Sequence, residues 1–329
     1  MINTIDAAAK QSVQIVLVDP DVQLRNNLRQ ALSSAGFRTV ADYNHIKKFQ
    51  DDLDKIFPDL LLIDAHMPEG DTCQMIREMR MNRLGKNPFL SVILTVWQTK
   101  IDDIEKLVSS GADHILIKPI APQAIFERME ALMERRRPFV ATSTYVGPDR
   151  RKGDREGVDP IPTFHVPNTL KIKATNRKVD VDSLQRAIDQ TLNKMNDEMI
   201  LRLAFQIAFQ VKRLLVALGK ADIEGEGDQA LRDLKWALME LNHRLAATAY
   251  QQIAELCNKL NTVVEGVIRA MPNPSERDRQ LMVKLAEAIN LGLKSNQNPA
   301  ELASKVVKAM QSYESKKARK VAAKPVSTR

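Results

Sequence analysis

Four side chains stand where short apolar runs end, and their types suit phosphoryl chemistry. Asp19 follows VQIVLV (13–18), Asp64 follows LLLI (60–63), Thr95 closes the run that begins at Leu90, and Lys118 follows HILI (114–117). Two carboxylates brought to one rim would bind a hard cation such as Mg²⁺. A carboxylate beside such a cation can act as a nucleophile towards phosphorus and form an aspartyl phosphate. The cation and the Lys118 ammonium would balance charge on the phosphoryl oxygens, and the Thr95 hydroxyl could hydrogen-bond one of them.

These residues meet only if the runs that carry them are neighbouring parallel strands. Short runs rich in Val and Ile suit strands buried on both faces. Helical spacing separates them. Leu24, Leu28, Ala31, Leu32 and Ala35 form a stripe closed by Gly36, with a short strand predicted at 37–40. Residues 46–56 read as a helix ended by Pro58. Further stripes are Met75, Ile76, Met79 and Leu84, then Ile101, Ile104, Leu107 and Val108, then Ile125, Met129 and Leu132. Strand and helix alternate five times, which predicts an α/β doubly wound sheet with helices on both faces. In such a sheet, ligands bind beyond the carboxyl ends of the strands, where all four residues stand.

The segments IVLVDPD, LLLIDAHMPEGD, VILTV and ILIKPI resemble the CheY-like receiver domain of bacterial two-component response regulators, over residues 13–136. The resemblance implies a flavodoxin-like five-stranded parallel sheet. It implies that Asp64 accepts a phosphoryl group from a sensor histidine kinase or phosphotransfer protein, with Thr95 and Lys118 binding that group. It implies Mg²⁺ held by Asp19, Asp64 and the backbone carbonyl of His66, and a cis bond before Pro119. No turnover is expected beyond self-phosphotransfer and slow autodephosphorylation. Three positions depart from the family pattern. Pro20 replaces the second acid of the usual pair, Ile115 replaces an aromatic residue, and Thr72 stands where Gly is common. With one carboxylate fewer, Mg²⁺ affinity should fall, unless Asp21, one residue late, takes the place.

The rest of the chain reads differently. Residues 1–12 form an N-terminal tail, and 137–180 a linker rich in Pro, Gly and Arg that includes PDRRKGDR. Residues 181–314 form an α-helical output domain, a bundle or coiled coil, and 315–329 a basic disordered tail. From Leu184 to Leu218, and again from Leu231 to Val267, apolar residues recur at steps of three or four. Two amphipathic helices of roughly 35–40 residues, paired antiparallel, are predicted. Two shorter helices follow, one capped by Ser275, the other by Asn298-Pro299. Met195, Met199, Phe205, Phe209 and Trp236 read mostly as core.

His243 falls two residues after the seam residue Leu241, about 200° round the helix, and so faces outward. An exposed helical His is what a phosphotransfer module uses, so His243 is an alternative phosphoryl carrier, although its ordinary reading is a surface residue. The helical domain is expected to engage a protein partner or a second copy of itself. DNA binding, as a transcriptional regulator, is the other alternative, disfavoured because no short basic recognition helix is visible.

The composition agrees with a globular chain: 329 residues, 44% hydrophobic, 27% charged, net +8. The basicity is uneven, −4 over residues 1–134 and +9 over 161–329, much of it in the terminal tail. Cys73 and Cys257 are too few for a disulfide scaffold or a Cys-based zinc site. No apolar run is long enough to span a membrane, and a cytoplasmic location is expected.

Overall fold

The computed structural model describes residues 5–97, 101–151, 153, 161–175, 179–220, 223–246, 248, 250–271 and 274–294. The apolar runs become β1 (Gln14–Val18), β2 (Thr39–Tyr43), β3 (Leu60–Asp64), β4 (Ser91–Val96) and β5 (His114–Ile117). All pair in parallel, in the order β2-β1-β3-β4-β5. Because successive strand residues point to opposite faces, the sheet feeds two cores. Val16, Val18, Leu61, Ile63, Val92 and Leu94 pack with Ile46, Phe49, Ile76 and Leu107, from α3 (Ile46–Asp52), α4 (Thr72–Arg80) and α5 (Ile101–Ser109). Ile15, Leu17, Leu60, Leu62, Ile93 and Leu116 pack with Leu28, Leu32, Ile125 and Met129, from α2 (Val22–Ser34) and α6 (Pro122–Arg135). This is the doubly wound, flavodoxin-like α/β arrangement.

The second strand lies two residues later than expected. Phe37 is fully buried in the core ahead of it, so its hydrophobicity serves packing rather than the sheet ladder. The first twelve residues, read as a tail, contain α1 (Ala7–Ser12), capped by Asp6, whose Oδ1 accepts from the Ala8 amide.

The stretch 137–180, read as a linker, is folded where it is described. Strands β6 (Phe139–Ala141), β7 (Val146–Pro148) and β8 (Thr163–Phe164) form a small antiparallel sheet, and α7 (Thr169–Thr175) packs against α1 and α6. Buried polar pairs anchor both parts. Lys173 on α7 reaches Asp59 at 3.0 Å, ahead of β3. Arg80 on α4 donates to the carbonyls of Gly111, Pro88 and Leu90 at 2.9, 2.6 and 2.7 Å and to Asp113 at 3.0 Å. Arg136 donates to the same Asp113, and both guanidinium groups stack on Phe139 of β6, 5.1 and 5.0 Å from its centroid. Burial lowers the Arg80 pKa to about 10, which leaves it charged at neutral pH. Breaking a buried pair by removing one partner typically costs about 3–5 kcal/mol. Arg80→Leu should therefore lower the unfolding free energy of the first unit, read by urea denaturation, by an amount in that range. A change under about 1 kcal/mol would show that this cluster contributes little to stability.

Two compact units divide the chain, Met1–Met195 and Asn196–Arg329, and the boundary falls inside α8 (Val181–Lys220). The second unit continues through a π-helical turn (Ile223–Gly227) to α9 (Asp228–Leu245), α10 (Gln251–Arg269) and α11 (Glu276–Lys294). Ile200, Leu203, Ile207, Leu234, Leu241, Leu256, Leu260 and Ile289 share one core. The predicted second long helix is broken. The Thr248 hydroxyl donates to the Leu245 carbonyl at 3.0 Å and accepts from the Tyr250 amide at 3.2 Å, competing with the helical bonds. The apolar seam survives because α9 and α10 both face the same core. Ser275 caps α11, its hydroxyl accepting from the Asp278 amide at 3.1 Å. Met195 and Met199 are buried as expected, whereas Phe205 and Phe209 are 64% and 51% exposed. The helix expected after Asn298 and the basic tail lie outside the described residues.

Candidate functional site

The carboxyl ends of β1, β3 and β5 meet at a small, charged cluster. Asp19 follows β1, Asp64 ends β3, and Lys118 follows β5; all three are buried. Lys118 Nζ donates to Asp19 Oδ2 at 2.6 Å and also to Asp64 Oδ2. The other oxygen of each acid is held by backbone. Asp19 Oδ1 accepts from the Asp21 amide at 2.9 Å, and Asp64 Oδ1 from the His66 amide at 2.6 Å. Two carboxylates against one ammonium leave a net negative charge, which attracts a cation. Burial pushes the Asp19 carboxyl above its ordinary value, outweighing the hydrogen bonds from Lys118 and the Asp21 amide, which lower it. A further positive charge here would relieve that penalty.

Thr95 stands directly opposite Asp64 in the β3–β4 register, buried, with its hydroxyl donating to the Ile63 carbonyl at 3.4 Å. Lys118-Pro119 is cis. Ile115, where a ring is usual, is partly buried against the α3–α4 side of the sheet. His66 is exposed just past Asp64. His243 is exposed on α9, in the other unit.

Asp21 does not join the cluster. Its Oδ1 accepts from the Gln23 and Leu24 amides at 2.8 and 3.1 Å, the N-cap of α2. Among the described residues no group of three or more Asp, Glu, His or Cys side chains is arranged to hold a metal ion. Two carboxylates do fit Mg²⁺, which usually binds through one or two carboxylates and keeps several waters.

Three supporting residues were not assigned roles from sequence. Arg25 on α2 is buried, donates to the Asp19 carbonyl and pairs with Asp42 at 3.0 Å, fixing the turn after β1. Thr72, the departure from Gly, is fully buried and donates to the Asp64 carbonyl at 2.9 Å, tying the start of α4 to the end of β3. Trp97 is 57% exposed with its ring 5.5 Å from Lys118 Nζ. Of these, only Trp97 had a local signal, a large aromatic two residues past Thr95.

The family model for the response regulator receiver domain matches residues 15–130. The transcriptional regulatory protein PhoP of Escherichia coli K12 is 28% identical over 123 residues, 37% of this chain and 53% of that protein. The response regulator MprA of Mycobacterium tuberculosis H37Rv is 29% identical over 127 residues, 39% and 53% of the two chains. The chain thus spans about half the length of the curated relatives it matches. Among solved structures, a CheY-like receiver domain protein from Methanospirillum hungatei JF-1 shares 20% identity, with a TM-score of 0.33, over 36% of this chain and 92% of that one. With the five-stranded sheet and the family match covering the same stretch, residues 15–130 are a response regulator receiver domain.

Proposed function

We propose that the chain receives a phosphoryl group on Asp64 from a phosphohistidine of a sensor kinase or phosphotransfer protein, and that its helical unit passes the signal to a protein partner. The observation that carries the reading is the convergence of Asp19, Asp64 and Lys118 from three strand ends. An Asp64 oxygen attacks phosphorus as the bond to the imidazole nitrogen breaks. Lys118, already on Asp64, accompanies the charge that moves onto the phosphoryl oxygens. Thr95, opposite Asp64 in the register of β3 and β4, would donate its hydroxyl to one of them. Asp19, Asp64 and the His66 carbonyl would hold Mg²⁺, which supplies charge neutralisation during transfer. Incubated with Mg²⁺ and a small-molecule phosphodonor, the intact chain should gain the mass of one phosphoryl group. An unchanged mass at saturating Mg²⁺ would overturn the reading.

The Mg²⁺ site should be weak, because Pro20 supplies no side-chain oxygen and Oδ1 of Asp21 caps α2. Pro20 is exposed. Pro20→Asp should tighten Mg²⁺ binding by adding a charged oxygen ligand, as read by calorimetric titration. Equal affinities would show that the two-carboxylate site is already sufficient.

A second reading has support in the names of the relatives, one of which is a transcriptional regulatory protein. On that reading the output is DNA binding. A gel shift at physiological salt separates the two, since sequence-independent phosphate contacts weaken as salt rises. A specific duplex retained by the full chain would favour it.

A further inference from the structure

The amino-terminal end of β5, opposite the end that leads to Lys118, carries a second polar cluster. Asp113 there is buried and faces two guanidinium groups. Arg80 Nη2 lies at 3.0 Å, Arg136 Nε at 2.8 Å and Arg136 Nη2 at 3.1 Å. Burial pushes the Asp113 carboxyl up, but Arg136 and Arg80 outweigh it and hold it below its ordinary range. The acid is therefore ionised, yet it cancels only one of the two positive charges. Arg136 Nη1 is buried with no hydrogen-bond partner.

Asp113 and Arg136 also line a cavity of about 240 Å³. Arg135, Arg137 and His114 complete its polar lining, and α6 and β7 supply an apolar wall. Asp113 is the single acid of that lining, against three arginines. The nearest acid on the following segment, Asp149, is already taken by Arg151 at 2.9 and 2.8 Å. Burial lowers the pKa of His114. Asp113 opposes that shift, and Arg128, Arg150 and Arg137 add to it, so the imidazole is neutral and its surroundings are positive. Arg150, from the stretch read as a linker, adds to that positive field from outside the lining, and its Nη2 donates to the Ala112 carbonyl at 2.6 Å.

Guanidinium forks match the oxygens of a phosphate, and a concave, positively charged, partly apolar site selects a small anion with an organic body over an extended chain. The cavity far exceeds the roughly 10–15 Å³ that a single water needs. We propose that it binds a phosphorylated small molecule, with the phosphate among Arg135, Arg136 and Arg137 and the organic body against the apolar wall. The site shares no residue with the Asp64 cluster and does not depend on phosphoryl transfer.

The test is calorimetry on the full chain with AMP, GMP, glucose 6-phosphate and inorganic pyrophosphate, with adenosine and glucose as unphosphorylated counterparts. At least one phosphomonoester should bind in the submillimolar range, and its counterpart should not. Arg135→Ala with Arg137→Ala, both at exposed positions, should weaken that binding by roughly tenfold or more, about 1.4 kcal/mol. The melting temperature should stay unchanged. Arg135→Gln alone should give a smaller loss in the same direction, and Asp64→Asn should leave binding intact. No binding across the phosphomonoesters would overturn the proposal. So would affinity unchanged in the double variant, affinity lost in Asp64→Asn, or retention of duplex DNA through these arginines in place of the small ligands.

Discussion

Asp64→Asn is expected to abolish phosphoryl uptake while leaving the receiver folded. Asparagine has nearly the shape of aspartate, so its side-chain oxygen can still accept from the His66 amide, a contact of 2.6 Å in the native chain. Lys118 keeps a charged partner in Asp19 at 2.6 Å. The substitution therefore removes one of two carboxylates from one ammonium and does not strand a buried cation. What it removes completely is the nucleophile, since an amide oxygen does not form a stable acyl phosphate. Mass spectrometry after phosphodonor treatment should show the added phosphoryl in the wild type and none in the variant. Thermal melts of the two should have the same shape. A variant that still gains the mass would place the acceptor elsewhere, with His243, exposed on α9, the first position to examine.

Leu241→Asp combined with Leu245→Asp is expected to unfold the helical unit. Both leucines are fully buried in one core with Leu203, Ile207, Leu256 and Leu260. Truncating a buried leucine typically costs about 2–5 kcal/mol, before any charge is placed in the cavity. Each new carboxylate would meet an apolar wall, which adds several kcal/mol more or drives its protonation. Two such sites together reach or exceed the roughly 5–15 kcal/mol that stabilises a domain. Circular dichroism of the full chain should lose the share of helical signal contributed by α9–α11. Phosphoryl uptake by the receiver, which has its own two cores, should persist. His243→Gln, at an exposed position between the two leucines, should shift stability by no more than about 0.5 kcal/mol. Native-like helicity in the double variant would mean that the core assigned to α9 is wrong.

The strands and the charged residues at their ends were legible because two local signals coincide. Short Val- and Ile-rich runs report burial on both faces of a sheet, and each run that ends on Asp or Lys places that residue at the ligand-binding rim. The helical stripes of the second unit were legible for the same reason. Leu234, Leu238, Leu241 and Leu245 are buried as their spacing requires, and His243 between them is exposed. Thr95 and the cis bond before Pro119 belong to the same motifs and stand where those motifs place them.

Long-range pairing decided the rest. Asp21 could have joined the Asp19–Asp64 cluster or capped a helix, and its neighbours in sequence suit either use; in the folded chain its Oδ1 caps α2. Residues 137–175 carry little periodicity, because strands of two or three residues are held by their partners rather than by their own propensity. Asp113 finds Arg80 and Arg136 across separations of 33 and 23 positions, and Asp59 finds Lys173 across 114. Phe205 and Phe209 match the helical period yet remain exposed, since α8 is apolar on more faces than its neighbours cover. Periodicity records which side chains gain from leaving water. Which distant group receives them, and which carboxylate meets which cation, is set only when the chain closes on itself.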